Sequence, residues 1–545
     1  MKRPEIHSLV WVGCLACAGL LSAQTGTFTG IGTLPGDTGS AAFGVSDDGT
    51  VVVGHSFDDA DEPEAILFKI ATGTLVPIGQ PDGWTASTAH GVDVDHEGTV
   101  HVTGNGLNTD ANRQAFYYSS VNGGFFYNIP FLAGEEPETG TSLGERLRIS
   151  PEGEPMVVGR SSRGSDPDHA FLWRSAFPDS SLDLGHVPPT DHPSYAHDLG
   201  YFLDAQSVIR TRVVGMGFTA FPYGGSRPGA FSWSSETSLN SFLGFLDQSP
   251  THDSQSFARG VSKDGRYIVG TGTYESFCGL NRQAYLYDVN DQDPEDTSAP
   301  QRPLKLCSNP DYPNSRLLGY VPGHEGFSDA LAVALDGSVV VGRARSVILV
   351  QMGECYFGDP HPIAMIWDPY NGARDLKGVL ESDYGLDLTG WVLHEARGIS
   401  SDGTVIVGMG EYEGEPQGWV AVVGAMGPIG ACCKPDLSCA EVMETVCDAT
   451  YRGPGSSCEQ VVCCPIPFAD ANMDGSVDQI DFGFFQACYS GHGVPISSDD
   501  PLCVCFDRNN DGDVDMYDFG AFIDCFTGPA VPWSQELTPY CVPTP

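Results

Sequence analysis

Apolar and polar positions follow one pattern that recurs along most of the chain. A short apolar run ends in Val-Gly, a loop follows, and the next run begins with Ala and continues with large apolar and aromatic residues. The glycines that end the first run are Gly54, Gly104 (preceded by Thr instead of Val), Gly159, Gly215, Gly270, Gly342 and Gly408. The second runs cover 65–68, 115–118, 170–173, 230–233, 284–287, 364–367 and a degenerate copy at 418–421. Short apolar runs bounded by glycine predict β-strands.

Two further strands complete most copies. A Gly-Val or Gly-Ile strand and a turn ending in Asp-Gly precede the Val-Gly strand, as in 44–49, 260–265 and 398–403. Asp-Gly between two apolar runs is a strong signal of a tight hairpin, because Gly accepts a positive φ. A weaker strand carries Ile-Gly or Leu-Gly at 31–32, 78–79, 184–185 and 243–244. Each copy is therefore predicted to be a four-stranded antiparallel sheet.

Seven copies with a mean spacing of about 59 residues predict an all-β fold, a β-propeller of about seven blades. The strand around 28–34 has no earlier copy to join. It is predicted to be the outer strand of the last blade, which closes the ring and removes an exposed sheet edge. The recurring sequence motifs over 28–423 resemble the HAF-type extracellular repeats of bacterial secreted proteins. The resemblance implies a repeat fold outside the cell and says almost nothing about activity.

The N-terminus has the layout of a signal peptide. Lys2 and Arg3 precede a short apolar stretch, and Ala23 is a small residue at the expected cleavage site. The sequence predicts cleavage after Ala23 and secretion to the extracellular space or cell surface, with a lipid anchor at Cys14 or Cys17 as the alternative. No later stretch is long and apolar enough to predict a membrane span.

Composition divides the chain into five segments. They are a signal peptide (1–23), the propeller (24–424), a Cys-rich spacer stapled by disulfides (425–464), a duplicated calcium-loop module (465–528) and a Pro-rich tail (529–545). Of 17 cysteines, twelve lie in 432–541, and this density in an exported chain predicts disulfides. Within the propeller, Cys278 is predicted to pair with either Cys355 or Cys307, and an odd total in the cleaved chain leaves one thiol over.

Charge narrows the range of partners. Acidic residues outnumber basic residues by 71 to 27, which gives a net charge of −44. Such a surface repels phosphate backbones, so nucleic acid is not a predicted partner. The 67 Gly and 39 Pro argue against a mainly helical protein, and a hydrophobic content of 41% is sufficient for a buried core.

Two matching twelve-residue loops carry the clearest chemistry. Oxygen-bearing residues occupy positions 1, 3, 5, 9 and 12, Gly occupies position 6, and position 7 offers its backbone carbonyl, as a wrapped Ca²⁺ loop requires. The predicted ligands are Asp470, Asn472, Asp474, Ser476, Asp478 and Asp481 in the first loop, and Asp507, Asn509, Asp511, Asp513, Asp515 and Asp518 in the second. Each loop leads into a predicted helix. The crowded carboxylates predict that binding of two calcium ions is coupled to folding.

This duplication of loop and helix over 466–528 resembles the type I dockerin, a module that binds cohesin in cellulosomes. The resemblance implies calcium binding, and attachment to a cohesin-like or cell-surface protein. The sequence departs from the family in the long segment between the loops, which contains Cys503 and Cys505, and in the cysteine that ends each helix. At the two positions where type I dockerins usually recognise cohesin, this sequence has Gln-Ile (479–480) and Met-Tyr (516–517). The calcium ligands therefore carry over, and cohesin recognition does not.

The ring offers five candidate ligand-binding residues. Arg259 and Arg397 precede the Gly of the predicted innermost strand, and His90 has the same place in the second copy. Trp84 and Trp391 lie seven residues before that Gly in their own copies. Aromatic platforms beside arginines suit sugars and anionic polymers, so an extracellular polysaccharide is the predicted ligand. The alternative is that the arginines link blades and the tryptophans pack between them.

Two functions fit these observations. The first is a secreted, non-catalytic propeller that binds a ligand or partner and is attached through the calcium module. The second is a secreted carbohydrate-active enzyme, a polysaccharide hydrolase or lyase with its active site on the propeller. The chain contains no His-Glu-x-x-His or phosphate-loop motif, and Asp48, Asp264, Asp336 and Asp402 recur at predicted hairpin turns. The sequence therefore favours the non-catalytic function.

Overall fold

The computed structural model divides the chain into two compact units, Gly26–Ile429 and a unit that includes the residues from Gly430 onward. It describes residues 26–541 apart from 59, 61, 111, 133–139, 164–165, 187–191, 221–225, 245–254, 274–281, 291–314, 325, 350–354, 358–361, 425–428, 435–438, 444–446, 448–449, 454–455, 457, 459–460, 466, 497–500 and 535–540. Within these residues, the first unit is almost entirely β, and the second contains three helices and a small sheet.

The first strand, β1 (Thr27–Gly30), is followed by antiparallel groups in which each strand pairs with the next along the chain. The first four groups are Gly39–Val45, Val51–Phe57, Pro63–Lys69 and Thr74–Gly79 (β2 to β5); Ala86–Val94, Val100–Leu107, Arg113–Ser119 and Phe125–Asn128 (β6 to β9); Ser142–Ile149, Pro155–Arg163, Asp166–Arg174 and Ser181–Asp183 (β10 to β13); and Ser194–Leu203, Ile209–Ala220, Ser226–Ser234 and Leu239–Gly244 (β14 to β17). These groups correspond to the first four sequence copies.

Three more groups follow in the same way, except that in the sixth the strand Val340–Leu349 pairs with both Cys355–Phe357 and Ile363–Asp368. They are Ser256–Val261, Tyr267–Thr273, Arg282–Asp288 and Ser315–Gly319 (β18 to β21); Gly326–Val333, Val340–Leu349, Cys355–Phe357, Ile363–Asp368 and Gly372–Asp375 (β22 to β26); and Trp391–Ile399, Val405–Tyr412 and Glu415–Val422 (β27 to β29). One parallel pairing between Arg282 and Phe327 joins the fifth and sixth groups into a single hydrogen-bonded sheet. Two 3-10 turns, Ile70–Thr72 and Val121–Gly123, and one helix, α1 (Leu376–Ser382), complete this unit in the described residues.

The two ends of this unit meet in the last group. β1 pairs with β29, with Thr27 opposite Val422 and Gly30 opposite Trp419. The innermost strand of the first group, β2, also packs against β27 and β28. The prediction that the N-terminal strand completes the last sheet is therefore confirmed, and the pairing satisfies an edge that would otherwise be open.

The recurring aromatic runs form the core between the groups. The largest fully buried side chains of this unit include Phe116, Phe171, Trp173, Phe231, Tyr285 and Trp419, and all six come from those runs. Full burial of one Phe-sized side chain contributes on the order of 1.5–3 kcal/mol. The aromatic repeat in the sequence is therefore the packing repeat of the sheets.

The recurring Val-Gly glycines are required by a close approach of two backbones. A Cβ added at Gly54 would overlap the carbonyl oxygen of Ala41 on the innermost strand, and one at Gly408 would overlap that of Glu395. The other five glycines face the equivalent carbonyl in the same way. Because the opposing atom is backbone, no side-chain rearrangement relieves the overlap.

The second unit combines a sheet with helices. Its strands are β30 (Ile429–Cys433), β31 (Cys439–Met443) and β32 (Thr450–Tyr451), in the order β31-β30-β32, and its helices are α2 (Gln479–Cys488), α3 (Pro501–Val504) and α4 (Met516–Cys525). Phe485, Phe506 and Phe522 pack at the centre of the helical part. Among the described residues of the whole chain, no helix is long and apolar enough to cross a membrane.

Six disulfides hold the second unit together. Cys432 bonds to Cys447, Cys433 to Cys463, Cys439 to Cys458, Cys464 to Cys505, Cys488 to Cys503 and Cys525 to Cys541. The prediction that the twelve cysteines of 432–541 form disulfides is confirmed. Cys278, Cys307 and the side chain of Cys355 fall outside the described residues, so their pairing stays a prediction.

The bonds also join segments that composition separates. Cys464, at the end of the predicted spacer, is bonded to Cys505 between the calcium loops. Cys541, in the predicted tail, is bonded to Cys525 at the end of α4. The backbone N–H of Trp533 in the same tail donates to a carbonyl of the first loop at 2.8 Å. Spacer, loops and tail are therefore covalently and structurally connected.

Candidate functional site

Each innermost strand of the propeller-like unit has a β-bulge at the same place. At this place the strand pairing skips one residue in every group, which leaves that residue without a pairing partner on the neighbouring strand. The seventh group has a second skip, at His394. The skipped residues are Phe43, His90, Glu145, His197, Arg259, Leu331 and Arg397. In every group, the carbonyl that would clash with a side chain at the Val-Gly glycine belongs to the residue two positions before this bulge. The repeat thus places one variable side chain per group at an equivalent position.

These seven bulge residues line one cavity. Its volume is about 160 Å³, and Arg146, Asp198 and Ala332 complete its wall. The structure therefore brings together His90, Arg259 and Arg397, which sequence analysis selected as candidates. That a ligand binds them stays a prediction.

A connected row of arginines and carboxylates lies beside the cavity. Asp329 accepts a hydrogen bond from Arg343 at 3.1 Å and lies 4.0 Å from Nε of Arg259. Glu395 accepts hydrogen bonds from Arg343 and, at 2.8 Å, from Nε of Arg397. Three guanidinium groups thus share two carboxylates, so this row of five residues has one positive charge in excess; Glu145 of the wall is a further carboxylate near Arg259 and Arg397. The row also links the fifth, sixth and seventh groups, as expected from the alternative that these arginines link neighbouring sheets.

Three groups in the cavity wall, His90, His197 and Glu145, are shifted toward their neutral forms. Burial, followed by the charge of Arg397, lowers the pKa of His90 to about 4. Burial, followed by the charge of Arg259, lowers the pKa of His197 to about 3. Burial raises the pKa of Glu145, against the pull of the nearby arginines. At neutral pH the wall therefore presents positive guanidinium groups beside uncharged imidazoles.

We expect the His90 imidazole to make the propeller acid-labile. A depression of its pKa from 6.5 to about 4 means that unfolding takes up a proton, so stability contributed by His90 is complete above about pH 6.5 and is lost as the pH falls toward 4. The loss is on the order of 3 kcal/mol. Denaturant unfolding at pH 7.5 and pH 4.5 is expected to show a smaller loss for His90→Gln than for the unmodified chain.

His96→Gln is the matched control for this experiment. The His96 side chain is 83% exposed, so its replacement is expected to leave the pH dependence unchanged. If His90→Gln and the unmodified chain lose the same stability between pH 7.5 and pH 4.5, His90 is already protonated at pH 4.5 in the folded protein.

The two candidate tryptophans are not part of the cavity wall. Trp84 is 5% exposed, and its ring contacts Phe116 at 6.3 Å within the core. Trp391 contacts Phe28 at 5.0 Å and Tyr412 at 5.2 Å. Both side chains therefore occupy packing positions, and Trp391 helps to hold β1 in the closing sheet.

A second ionic network joins the innermost strands a few residues further along. Nζ of Lys263 lies 2.8 Å from Asp47 and 3.8 Å from Asp93, and Arg148 lies 3.4 Å from Asp198. Burial favours a neutral Asp47, but the charges of Arg148 and Lys263 outweigh it and lower the pKa of Asp47 to about 2. The five residues come from the first five groups, so the network ties those groups together.

The hairpin-turn aspartates have structural roles. Asp48 accepts hydrogen bonds from the backbone and hydroxyl of Thr50 at 3.1 and 2.8 Å. Asp402 makes the same bonds to Thr404 at 3.0 and 2.9 Å. These contacts close the turns, as the sequence predicts.

The two predicted calcium loops share one backbone arrangement. Asp470 accepts the N–H groups of Asp474 at 3.1 Å and Gly475 at 2.9 Å. The corresponding bonds to Asp507 measure 3.2 and 2.9 Å. Gly475 and Gly512 have φ angles of 85° and 90°, which glycine adopts without strain. Position 6 is therefore Gly in both loops because the turn requires it.

The last aspartate of each loop anchors it to the following helix. Asp481 and Asp518 are fully buried, and each accepts the backbone N–H of the helix N-cap residue, at 2.8 and 2.9 Å. Val477 and Val514 at position 8 are fully buried as well. The donors that each loop offers are carboxylate, amide and carbonyl oxygens, the hard ligands that Ca²⁺ prefers. The donor set therefore fits calcium in both loops.

An internal repeat relates the two halves of this module. The carbonyl of Val477 accepts the N–H of Thr527 at 2.9 Å, and the carbonyl of Val514 accepts the N–H of Ser490 at 3.0 Å. The hydroxyls of Thr527 and Ser490 accept the N–H groups of the same valines, each at 3.0 Å. Each loop is therefore paired with the segment that follows the helix of the other half.

No protein-family model and no curated protein sequence matches the chain. It is similar to the solved structures of TolB from Acinetobacter baumannii, an ulvan lyase from a family of polysaccharide lyases, and a gluconolactonase from Xanthomonas campestris, with identities of 14%, 9% and 9% and TM-scores of 0.28, 0.37 and 0.31. The matches cover 46%, 72% and 74% of this chain and 51%, 96% and 93% of those chains. The chain thus spans about half of the first and nearly all of the other two. These neighbours are β-propeller-like proteins.

Proposed function

We propose that the chain is a secreted, non-catalytic β-propeller of seven blades that binds an anionic ligand in the cavity between its innermost strands. The observation that carries this proposal is the cavity wall, in which Arg259 and Arg397 stand beside neutral imidazoles and share their carboxylate partners with a third arginine. Excess positive charge in a protein with a net charge of −44 marks a local preference for anions.

The size of the cavity indicates how much of a ligand enters it. A volume of about 160 Å³ is below the range of roughly 300–1,000 Å³ that encloses a drug-sized ligand. One carboxylated or sulfated sugar unit, or one acidic substituent of a chain, matches this space. We therefore propose an extracellular polysaccharide with uronate or sulfate groups as the ligand class.

The bonding in the wall supports binding rather than catalysis. Asp329 and Glu395 are both committed to arginines. Nε2 of His90 lies 2.8 Å from Nδ2 of Asn105, and Nε2 of His197 lies 3.5 Å from Arg259. Apart from Glu145, the carboxylates and imidazoles at the cavity that could serve general acid–base chemistry are therefore already engaged.

The proposal assigns attachment to the C-terminal unit. Both loops bind Ca²⁺ through the residues named above, and the unit is a dockerin-like module that holds the propeller to a cohesin-like or cell-surface protein. Exposed apolar side chains at the starts of α2 and α4 support a partner there: Ile480, Met516 and Tyr517 are 58%, 64% and 73% exposed. The six disulfides support an oxidising, extracellular location.

One observation favours the second function, a polysaccharide lyase or hydrolase. Glu145 lies in the cavity wall, and burial raises its pKa, as a general acid requires. The two functions differ in a measurable product. New reducing ends or unsaturated sugars, lost in Glu145→Gln, would support an enzyme.

We expect the double substitution Arg259→Gln with Arg397→Gln to weaken binding of an anionic polysaccharide. Loss of two charge-assisted hydrogen bonds predicts a decrease in affinity of about 100-fold. Asp329 and Glu395 both keep Arg343 as a partner, so the fold is expected to persist. Calorimetry of the full chain with polygalacturonate, a sulfated galactan and a neutral glucan measures the effect.

Arg174→Gln provides the matched control, because its guanidinium pairs with Glu154 and is not part of the cavity wall. This variant is expected to bind as the unmodified chain does. Equal binding of the neutral glucan, or an unchanged affinity in the double variant, would exclude the cavity as an anion site.

A further inference from the structure

One half of the C-terminal module carries a group of three side chains, two of which have no counterpart in the other half. His492, Asp513 and Asp515 each offer a ligand atom, and these three atoms lie within 4.8 Å of one another. Nδ1 of His492 is 3.1 Å from Oδ2 of Asp515. Asp513 and Asp515 are 4% and 2% exposed, whereas His492 lies at the surface. The group therefore forms a partly buried corner that is open on one side.

The carboxylate of Asp513 has no role in the calcium loop. At position 7 a calcium loop uses the backbone carbonyl, so this side chain is free for another purpose. Its Oδ2 accepts the N–H of Gly493. Its Oδ1 is buried and has no hydrogen-bond partner in the described part of the chain. An unsatisfied carboxylate oxygen is costly to bury, which indicates that a partner belongs there.

Asp515 is also oriented for a partner outside its loop. Its Oδ1 accepts the N–H of Tyr517 at 2.7 Å and so caps α4. Its Oδ2 faces His492. Position 9 of such loops commonly reaches calcium through a water molecule, so this oxygen remains available to a second ion.

The internal repeat shows that the fold does not require His492 or the side-chain carboxylate of Asp513. Ser490 corresponds to Thr527, so His492 corresponds to Pro529, and Asp513 at position 7 corresponds to Ser476. The first half therefore builds the same loop and helix without the imidazole and without the extra carboxylate. The difference between the halves is chemical rather than architectural.

We propose that His492, Asp513 and Asp515 bind a divalent transition metal of the Zn²⁺ type, in addition to the two calcium ions. One imidazole nitrogen with two carboxylate oxygens is a ligand set that suits Zn²⁺, whereas Ca²⁺ takes oxygen ligands. Three protein ligands leave a fourth tetrahedral position for water at the exposed side. The proposal does not depend on the ligand of the propeller.

Titration of the full chain with Zn²⁺ in saturating Ca²⁺ tests this site. Calorimetry is expected to show one site that is at least tenfold weaker in His492→Ala. Co²⁺ as a spectroscopic probe is expected to give visible absorption bands of a nitrogen- and oxygen-ligated ion, and these bands are lost in the same variant. His96→Ala is the control, because that exposed imidazole has one carboxylate 3.9 Å away instead of two.

Asp513→Ser separates this proposal from the calcium proposal. The substitution gives the second loop the residue found at position 7 of the first, and the backbone carbonyl is retained. Calcium stoichiometry is expected to stay at two while zinc affinity falls by at least tenfold. Identical zinc titrations in the unmodified chain, His492→Ala and Asp513→Ser would overturn the site, as would displacement of zinc by calcium.

Discussion

Removing calcium is expected to open the C-terminal unit while the propeller keeps its structure. At calcium concentrations 100-fold above Kd, each site contributes about 2.7 kcal/mol, so chelation removes about 5 kcal/mol from this unit. Without the ions, the carboxylates of each loop repel one another. Hydrogen exchange read by mass spectrometry is expected to show loss of protection over 475–496 and 512–533 and no change in Gly26–Ile429.

Disulfides determine how far this opening goes. The bonds Cys488–Cys503 and Cys525–Cys541 close loops of 15 and 16 residues, each worth about 3 kcal/mol. Chelator alone is therefore expected to give an open but crosslinked unit, and chelator with reductant is expected to unfold it completely. Full protection in chelator alone would contradict calcium binding by the loops.

Single substitutions locate the effect. Asp481→Asn and Asp518→Asn each remove the charge of one position-12 ligand and are expected to abolish one calcium site each. Asp524→Asn makes the same change at an exposed carboxylate on α4 outside either loop, and it is expected to keep both sites. Loss of calcium binding in the Asp524 variant would mean that net charge, not ligand identity, controls affinity.

The sequence predicts the propeller-like architecture because its determinants are local. A Val-Gly strand, an Asp-Gly turn and an aromatic run each specify a strand or its end, and their repetition specifies neighbouring sheets. The closing strand follows from the same argument, since 28–34 has no earlier copy. The predicted calcium loops are equally local, because all six predicted ligand positions of each loop lie within twelve residues.

The wall of the cavity could be predicted only in part. His90, Arg259 and Arg397 stand directly before Gly on the innermost strand, so they can be aligned. Glu145 and His197 have the same place, but Arg and Asp follow them instead of Gly, which conceals the alignment. The feature that identifies all the wall positions is the recurrent β-bulge. It cannot be recognised in the sequence, because it depends on how two strands pair.

Long-range packing explains the other differences. Trp84 and Trp391 share a sequence position with each other, but their surroundings depend on neighbouring sheets and on β1. The disulfide partners of Cys464 and Cys541 lie beyond the predicted segment boundaries, because cysteine spacing does not encode connectivity. The short helix α3 before the second loop has no clear pattern in the sequence.

Replacing Gly159 by Ala is expected to destabilise the propeller strongly. The new Cβ would overlap the carbonyl oxygen of Leu143, with the Leu143 carbonyl carbon at 3.0 Å and Phe171 at 3.1 Å. Overpacking of a buried site costs about 1–3 kcal/mol. We expect the upper end of that range here, because the opposing group is backbone and the strand itself must move.

The substitution is also expected to disturb the cavity. Leu143, whose carbonyl the new Cβ would overlap, lies two residues before the bulge at Glu145. Gly378→Ala is the control: it lies in α1, its nearest neighbour to an added Cβ is 3.6 Å away, and alanine is expected to stabilise that helix by about 0.5–1 kcal/mol. Thermal unfolding of the full chain measures both variants. Equal melting temperatures for Gly159→Ala and the unmodified chain would show that the close approach is not needed. A lower melting temperature with weakened anion binding would tie the repeated glycines to the bulges that build the cavity.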